Sequence, residues 1–377
     1  MKKQKVCIVG DGLTGLITAL SLSRLNIDIH LIGKKHQIHK SSDNRTTALS
    51  PSNYSFLSKY FDKTDLKSFW PCKKIRLYNE TSNNNSNFMN LENHGNNIMY
   101  IIENKKLKEI ILNKIKKEKK IKIINEEIKK IDEKKSCIYI KNRKSFYDLI
   151  LLCLGKKSNI IPKLIGARVI KENSDQIAFT AIVQHNSNII EPEQYFLREG
   201  PLAILPLNPN RFSFVWSINK KNKTETIDSL IRLRLNKILD PDVKINIGKI
   251  VSFPISFRFN TNFFKKNILV LGDGLYNNYP LAGQGFNLIM RDIIKLFEDV
   301  KNNISLGIQI KDSLILDNFM NSRKPENLLF SLGVTFTHHF FKQNKNVAPL
   351  KNLILKDINK FKFLKDLSLR ISNKGIF

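Results

Sequence analysis

The chain has 377 residues, enough for roughly one to three domains with large cores. Its hydrophobic content of 42% and aromatic content of 9% exclude a wholly disordered polypeptide. Lys and Arg outnumber Asp and Glu by 63 to 33, so the formal net charge is +30 and anionic partners are favoured. Because Lys, Asn and Ile crowd the polar segments in general and form no single basic stripe, the charge does not predict nucleic-acid binding.

The cysteines and the hydropathy of the chain indicate the cellular compartment of the protein. The four cysteines lie far apart in sequence without a Cys-x-x-Cys pair, which predicts a reducing compartment and no metal site. No apolar run approaches the length that spans a bilayer. Basic residues precede an apolar stretch at the N-terminus, as in a signal peptide, but Asp11 and three glycines interrupt that stretch. We therefore expect a cytoplasmic protein.

Residues 5–33 predict a β-α-β unit. KVCIV (5–9) is typical of a buried strand, and GDGLTG (10–15) is typical of a glycine turn. LITALSLSRL (16–25) then predicts an apolar helix and IDIHLI (27–32) a second strand. The order and length of these elements are those of a nucleotide-binding unit.

The next elements are a mixture of helices, strands and one polar segment. Residues 46–60 have a helix-like pattern, and the asparagine-rich residues 80–97 predict an exposed hairpin or loop. A lysine-rich helix is predicted over 104–119, followed by short strands. YDLILLCLG (147–155) is continuously apolar over most of its length, which is typical of a strand in a parallel sheet covered on both faces.

After residue 175 the pattern changes to antiparallel strands with one helix, before a buried strand and a helical C-terminal third return. The boundaries that we predict are a discontinuous nucleotide-binding domain over 1–175 and 259–310, a β-rich substrate domain over 176–258 to which a hairpin near 72–103 contributes, and a helical region over 311–377.

Gly10, Gly12 and Gly15 have the G-x-G-x-x-G spacing of a dinucleotide-binding turn. The first glycine permits the tight turn, the second lets the backbone approach a pyrophosphate, and the third lets helix and strand pack closely. The following helix N-terminus supplies N–H groups for the phosphates. Gly33, followed by Lys34, occupies the place of the acid that usually binds the ribose. Either the lysines accept the 2′-phosphate of NADP, or the site has lost one ribose contact.

A second glycine-rich segment, GDGLYNNYPLAGQGFNLIMRD (272–292), follows the buried strand ILVLG. Asp273 can accept hydrogen bonds from a sugar-like chain of hydroxyl groups. Gly283 and Gly285 permit a flat ring to lie against backbone N–H groups at a helix start. A nicotinamide site needs no such second segment, whereas the ribityl chain and ring of a flavin do. The two segments together therefore predict FAD.

At these motifs the sequence resembles the FAD-dependent aromatic hydroxylases of ubiquinone biosynthesis, which are flavin monooxygenases with a para-hydroxybenzoate hydroxylase-like fold. The resemblance extends over essentially the whole chain and is carried by GDGLTG, by DNRTTALS (43–50) and, most specifically, by the segment after Gly272. It implies an α/β fold in which a Rossmann-like FAD-binding domain carries an inserted antiparallel β-sheet substrate domain and a helical C-terminal tail.

The resemblance also extends the set of FAD-binding residues, and it places Arg45 at the FAD pyrophosphate. The complete predicted cofactor site consists of Gly10, Gly12, Leu13, Gly15, Arg45, Asp273, Pro280, Gly283, Gln284, Gly285 and Asn287.

The chemistry that the resemblance implies begins with reduction of FAD by NAD(P)H. Oxygen then forms a flavin hydroperoxide, and one oxygen atom is transferred to the ring of a polyprenyl phenol. Because the flavin carries the difficult steps, we predict neither a catalytic side chain nor a metal. GPLAILPL (200–207) is expected to cover the substrate over the flavin. Neither the ring carbon nor the preference for NADH or NADPH follows from the sequence.

Three positions depart from the family pattern. Gly33 replaces the ribose-binding acid, Leu154 stands where an Asp-Gly pair usually follows a strand, and Tyr276 stands where histidine is common. These departures keep an alternative open, namely a degenerate non-catalytic flavoprotein or assembly factor of a ubiquinone-biosynthesis complex. A flavin-dependent reductase of prenyl chains, which shares the fold class, is a third interpretation.

Residues 348–374 repeat apolar residues every three or four positions with lysines between them, which predicts a basic amphipathic helix. It either lies on the anionic inner face of the cytoplasmic membrane, where a polyprenyl substrate resides, or packs on its own domain. His338 and His339 are adjacent on a helix and diverge by about 100°, so they do not predict a metal pair. Trp216 is expected to belong to the core.

Overall fold

The computed structural model describes residues 3–33, 43–81, 84–155, 160–166, 168–219, 226–279, 284–311, 313–341 and 361–376. The α-helices within these ranges are α1 (Leu13–Leu22), α2 (Pro51–Ser58), α3 (Lys63–Leu66), α4 (Asn104–Ile115), α5 (Ile160–Ile165), α6 (Ile227–Ile238), α7 (Gln284–Ser305), α8 (Ser313–Phe341) and α9 (Lys362–Lys374).

The strands within the same ranges are β1 (Gln4–Val9), β2 (Ile27–Ile32), β3 (Thr46–Leu49), β4 (Trp70–Cys72), β5 (Lys74–Glu80), β6 (Asn85–Glu92), β7 (Met99–Glu103), β8 (Ile121–Ile124), β9 (Ile128–Asp132), β10 (Cys137–Ile140), β11 (Arg143–Phe146), β12 (Leu149–Leu152), β13 (Val169–His185), β14 (Glu193–Phe196), β15 (Pro201–Asn208), β16 (Arg211–Asn219), β17 (Ile245–Ile247), β18 (Val251–Asn260), β19 (Phe264–Lys265), β20 (Ile268–Val270) and β21 (Tyr276–Asn277).

A six-stranded sheet carries the predicted β-α-β unit. Its strand order is β19-β20-β12-β1-β2-β8, and every pair is parallel except the edge pair of β19 with β20. All four residues of β12 are buried, as expected for a parallel strand covered on both faces. Helix α1 packs against α4 and α7. Because β1, β12 and β20 are parallel neighbours, their carboxyl ends lie side by side at one edge of the sheet.

A nine-stranded sheet forms the second large layer. Its order is β21-β18-β13-β16-β15-β14-β5-β6, with β17 paired to β13. All pairs are antiparallel except that of β14 with β5, which is parallel. The expected antiparallel sheet is thus present with one parallel pair inside it. Trp216, on β16, is buried in this layer's apolar cluster, which confirms the prediction that it is a core residue.

Two smaller three-stranded sheets complete the β-structure of the described residues, in the orders β11-β10-β9 and β3-β7-β4. The second of these explains a wrong prediction, because residues 46–49 were expected to begin a helix. Thr46–Leu49 instead pairs with β7 as β3, and the helix begins only after Ser50, with Pro51 in its first turn. Proline fits that position since its missing N–H has no partner there in any helix.

Of the two alternatives predicted for the asparagine-rich segment 80–97, a hairpin or a loop, the described residues form the hairpin. Residues Asn85–Glu92 form β6, which pairs with β5 at the edge of the nine-stranded sheet. At the other end of the chain, α9 covers the last part of the predicted amphipathic tail, and residues 348–360 lie outside the described ranges. Within the described part of the chain, no helix combines the length and the apolar character needed to cross a membrane.

Candidate functional site

The first glycine turn connects the end of β1 to α1, and its glycines are required by close backbone contacts. Gly10 has a φ of +119°, and a Cβ placed on it would overlap the Cys153 carbonyl at the end of β12. A Cβ on Gly15 would overlap the carbonyl of Gly10 itself. By contrast, no atom of the described residues lies within 4 Å of a Cβ placed on Gly12, the residue before α1. The turn therefore leaves open space at the helix N-terminus.

The second glycine-rich segment packs directly on the first. Gly272, with a φ of +79°, is so close to α1 that an added Cβ would lie 2.8 Å from the Thr14 Oγ1. A Cβ on Gly274 would lie 2.6 Å from the Leu154 carbonyl oxygen. The Asn260 side-chain amide donates to the Gly274 carbonyl at 2.6 Å and holds this 3₁₀ turn in place. Two segments separated by about 260 residues in sequence thus meet at the sheet edge.

A cavity of about 220 Å³ lies beside this meeting point. The residues that line it are Arg45, Thr46, Thr47, Asn104, Phe253, Pro254, Ile255, Asp273, Tyr276, Asn277, Asn278, Tyr279, Gly285, Phe286 and Ile289. The nine-stranded sheet contributes to this lining through β18. GPLAILPL was expected to cover the substrate, but Ala203 and Leu205 of that segment pack in a separate apolar cluster.

Polar atoms at this cavity fit a polar ligand. Among the described residues, no hydrogen-bond partner reaches the buried Thr46 Oγ1 or either side-chain amide atom of Asn278. The same holds for the Gln284 Oε1, at the N-terminus of α7. Buried polar groups are nearly always satisfied in folded proteins, so these atoms indicate a missing hydrogen-bonding partner. With the open space at Gly12, they fit the phosphates, sugar hydroxyls and ring of FAD.

Arg45 lies in the loop before β3, on the cavity wall. Its guanidinium donates two hydrogen bonds to the Asp43 carboxylate, at 2.7 and 2.8 Å. These hydrogen bonds raise the pKa of Arg45 above its ordinary value, and the nearby Asp273 charge adds to the effect. Burial alone would raise the pKa of Asp43, but the contacts with Arg45 outweigh it and lower that pKa. Arg45 is therefore a half-exposed cation at the cavity wall that is paired with Asp43.

Asn287 holds the start of α7 against β3 and α2. Its side-chain amide donates to the Ala48 carbonyl at 2.8 Å, and its Oδ1 accepts from the Ser50 N–H at 2.8 Å. The same oxygen accepts from the Asn53 side chain at 2.9 Å. Asn287 is buried, and this network positions the helix N-terminus relative to Arg45 and Thr46.

Tyr276 turns inward from the cavity wall into a buried ionic network between α7 and α8. Its hydroxyl donates to the Asp292 carboxylate at 2.5 Å, and Arg323 donates to the same carboxylate at 2.6 Å. Burial and the Asp292 charge raise the pKa of Tyr276 well above its ordinary value. The phenol therefore stays neutral and acts as a structural donor.

Tyr279 and Asn278 are site residues that the sequence pattern did not single out. The Tyr279 ring stacks on the His338 ring of α8, with 4.0 Å between centroids and 9° between planes. Burial and the neighbouring Glu172 carboxylate raise the pKa of Tyr279 to about 12. Both residues directly follow the GDGLYN motif, and only this position in the sequence could have indicated that they belong to the site.

The predicted cofactor residues fall into three groups. Gly10, Gly12, Leu13 and Gly15 form the first turn and the start of α1; Arg45, Asp273, Gln284, Gly285 and Asn287 lie on or beside the cavity wall. Pro280 and Gly283 lie outside the described residues. Nowhere in the described ranges are three His, Cys, Asp or Glu side chains grouped as metal ligands would be.

A larger cleft, of about 590 Å³, lies at the far end of the nine-stranded sheet. It is lined by polar residues such as Arg76, Glu193 and Lys237. Neither glycine segment reaches it, and its size alone does not indicate a ligand. We therefore assign the site to the smaller cavity, where the two motifs meet.

Comparison with known proteins shows similarity to flavin-dependent monooxygenases. The sequence profile described as "FAD binding domain" matches residues 160–305, which include the second glycine-rich segment. The chain is 23% identical to the ubiquinone biosynthesis monooxygenase COQ6 of Dictyostelium discoideum, over 93% of this chain and 90% of the relative. It is 25% identical to the 3-demethoxyubiquinol 3-hydroxylase of Escherichia coli, over 42% of this chain and 41% of that protein.

The fold is similar to that of p-nitrophenol 4-monooxygenase PnpA from Pseudomonas putida DLL-E4, with a TM-score of 0.81 at 14% identity. That alignment covers 100% of this chain and 99% of the other. A second similar structure is PqsL, a probable FAD-dependent monooxygenase from Pseudomonas aeruginosa, with a TM-score of 0.74 at 15% identity over 97% of this chain and 100% of that one. The predicted fold class is confirmed. The chain therefore has the fold of the flavin monooxygenases, carries a match to an FAD binding domain over residues 160–305, and is similar in sequence to monooxygenases of ubiquinone biosynthesis.

Proposed function

We propose that this flavin monooxygenase hydroxylates the aromatic ring of a polyprenyl phenol intermediate in ubiquinone biosynthesis, with O₂ and NAD(P)H as co-substrates. The observation that carries the proposal is the meeting of two distant glycine-rich segments beside a cavity whose polar atoms lack described partners. The names of the relatives, a ubiquinone biosynthesis monooxygenase and a demethoxyubiquinol hydroxylase, support the substrate class.

The proposed division of labour follows the position of each residue. The first turn, with Gly10, Gly12, Leu13 and Gly15, holds the pyrophosphate through N–H groups at the start of α1. Arg45 supplies a cation to the same phosphates. Asp273 accepts hydrogen bonds from the ribityl hydroxyls. Pro280, Gly283, Gln284 and Gly285 would hold the ring, and Asn287 positions the start of α7 through its hydrogen bonds with Ala48 and Ser50.

Bound FAD supplies the redox chemistry that passes electrons from NAD(P)H to O₂ and delivers an oxygen atom to the phenol. The chain's own contribution is to position the reactants and exclude water. Phe253, Ile255 and Phe286 give the cavity an apolar side suited to an aromatic ring. Asn278 offers polar atoms that can orient a phenol hydroxyl. The N-terminus of α7 favours negative charge that develops on the ring.

A non-catalytic flavoprotein or assembly factor is the second candidate, and Gly33 and Leu154 favour it. Leu154 packs against the apolar core and its carbonyl adjoins Gly274, so residue 154 itself supplies no carboxylate here. Loss of that acid weakens hydrogen bonding to FAD or to the nicotinamide but leaves the second segment intact.

The proposal is tested with purified protein by measuring bound FAD by absorbance. NADH and NADPH oxidation is then measured with and without a short-chain polyprenyl phenol, together with ¹⁸O₂ incorporation. FAD with substrate-stimulated turnover and labelled product supports the hydroxylase. FAD without labelled product supports the scaffold, and absence of FAD binding overturns both. Asp273→Ala should weaken FAD binding, whereas Asp28→Ala, at an exposed ion pair with Lys3, should not.

We further propose that the protein is cytoplasmic and attaches peripherally to an anionic membrane through residues 348–374. In the described part of this tail, Phe363 is 73% exposed and Phe361 57% exposed, beside several lysines. The far end of α9 is held by the Asn373 side chain, which accepts from the Ser52 N–H at 2.9 Å. Such an anchored basic helix with free aromatic residues suits an interface that holds a polyprenyl substrate.

A further inference from the structure

Gly33 stands where a ribose-binding acid was expected, and the side chain of Asp11 lies against it. Gly33 ends β2, and its N–H donates to the Ile124 carbonyl of β8 at 3.1 Å. The glycine turn is held beside it, because the Gly10 N–H donates to the Ile32 carbonyl at 2.8 Å. In this arrangement Asp11 directs its side chain at Gly33. A Cβ built on Gly33 would overlap the Asp11 Cβ and would lie 2.7 Å from both its Cγ and its Oδ2.

These distances put the Asp11 carboxylate beside the Cβ position of residue 33. The Asp11 Oδ2 lies 2.7 Å from that position, so Asp11 occupies the space next to the end of β2. An acid at the end of the second strand normally accepts hydrogen bonds from the ribose hydroxyls. A carboxylate is therefore present near the end of β2, and Asp11 of the glycine turn provides it.

We propose that Asp11 supplies the ribose-binding carboxylate of the FAD site in place of the acid absent at position 33. The inference rests on the proposed FAD binding. Gly33 is then a requirement of the arrangement, because any larger residue would collide with Asp11. An anion here also repels a 2′-phosphate, so the NADP interpretation of Gly33 and Lys34 is disfavoured.

The two positions permit an exchange experiment. In Gly33→Asp the new side chain meets Asp11, so FAD affinity and stability should both fall. In Asp11→Gly the carboxylate is lost, and the apoprotein should bind FAD about 10- to 100-fold more weakly, as expected for one hydrogen bond to a charged group. The double variant Asp11→Gly/Gly33→Asp removes the collision and returns a carboxylate to the site. Its FAD affinity should recover to within about threefold of the wild type.

The readouts are the FAD dissociation constant from flavin fluorescence, the FMN dissociation constant, and the unfolding temperature of each apoprotein. FMN lacks the adenosine ribose, so Asp11→Gly should weaken FAD binding and leave FMN binding unchanged. Asp11→Asn repeats the test with the shape of the side chain preserved. Asp28→Asn, at the other end of β2, is the matched control and should bind both flavins like the wild type.

The outcomes separate the inference from the proposed function. If the wild type binds FAD and Asp11→Gly and Asp11→Asn bind it equally well, the inference is wrong and the proposed function stands. Equal weakening of FAD and FMN would assign Asp11 to the shape of the turn and overturn the ribose contact. If the wild type binds neither flavin, the proposed function itself fails. Recovery in the double variant, together with a loss in Asp11→Gly that affects FAD and not FMN, supports the inference, because a carboxylate from either position then restores the same contact.

Discussion

At the scale of single residues, the glycines of the first turn have different physical roles. Gly15 is required because the backbone carbonyl of Gly10 leaves no room for a side chain at position 15. Gly12 has room for a side chain within the protein, so its role concerns what approaches it from outside. The G-x-G-x-x-G spacing alone does not distinguish these roles, whereas the surroundings of each glycine do.

The pair Gly12→Ala and Gly15→Ala tests this distinction. Gly12→Ala should change the free energy of unfolding by about 1 kcal/mol or less, since the position precedes a helix and is open. It should nevertheless weaken FAD binding by about tenfold or more, because the methyl group enters the space proposed for the pyrophosphate. Gly15→Ala should cost about 1–3 kcal/mol by overpacking. Urea unfolding and FAD titration measure both effects; wild-type FAD affinity in Gly12→Ala would contradict the proposed pyrophosphate position.

Tyr279 gives a prediction about pH. Its pKa is raised from an ordinary value of about 10 to about 12, by burial first and then by Glu172. Below about pH 10 the phenol is neutral in both the folded and unfolded states. Between about pH 10 and about pH 12 the unfolded state loses a proton that the folded state keeps, so stability falls as the pH rises.

Tyr279→Phe removes this contribution. The stability difference between the wild type and Tyr279→Phe, measured by urea unfolding, should be constant up to about pH 10 and then shift against the wild type. A difference that stays constant up to pH 12 would show that the Tyr279 phenol is not perturbed in the folded state.

At the scale of elements, α7 and α8 are joined by buried charges as well as by apolar contacts. The Asp292 carboxylate accepts from Tyr276, from Arg323 and from the Asn327 side chain, the last at 3.1 and 3.2 Å. Arg291 continues the network to Glu326 at 3.0 Å and to the Ile371 carbonyl of α9 at 3.3 Å. The segment after β20 is therefore tied to the C-terminal helices.

Asp292→Ala should reveal the strength of this connection. It leaves the buried guanidinium groups of Arg291 and Arg323 to share one carboxylate, that of Glu326, and such an excess buried charge typically costs about 3–5 kcal/mol of unfolding free energy. The matched control is Asp228→Ala, which breaks the exposed pair with Arg232 at 2.8 Å on α6 and should cost about 0.5 kcal/mol or less. Chemical unfolding of both variants gives the comparison. Equal losses would mean that the buried network does not hold α7 against α8.

At the scale of the whole molecule, the parallel sheet and the nine-stranded sheet both contribute to the wall of one cavity. β18 supplies Phe253–Ile255, the turn after β20 of the parallel sheet supplies Asp273, and the loop before β3 supplies Arg45. α9 lies outside both sheets, contacts α2 and β6, and buries none of its residues. It therefore presents most of its surface to the surroundings of the protein.

The proposed membrane attachment is tested by vesicle flotation. We expect binding to vesicles that contain anionic phospholipid, weaker binding to purely zwitterionic vesicles, and loss of binding as salt is raised. Phe361→Ser/Phe363→Ser should reduce binding by about tenfold or more, because these exposed rings are the apolar contacts of α9. The double change should leave the unfolding temperature unchanged. Absence of flotation with any vesicle would rule out the attachment.

The β-α-β unit, the second glycine-rich segment and the resemblance to flavin monooxygenases could all be predicted from the sequence alone. These features depend on local period and on glycine spacing, which are properties of short stretches of chain. The same local reasoning failed at residues 46–49, where pairing with β7 decided the conformation.

Only the tertiary structure decided which side chains meet. It directed Asp11 at Gly33, turned Tyr276 toward Asp292, and lined the cavity with β18 and not with the 200–207 segment. The physical reason is that such contacts depend on side-chain direction and on the packing of elements far apart in the chain. Periodicity encodes which face of an element is buried, but it does not encode which partner lies against that face.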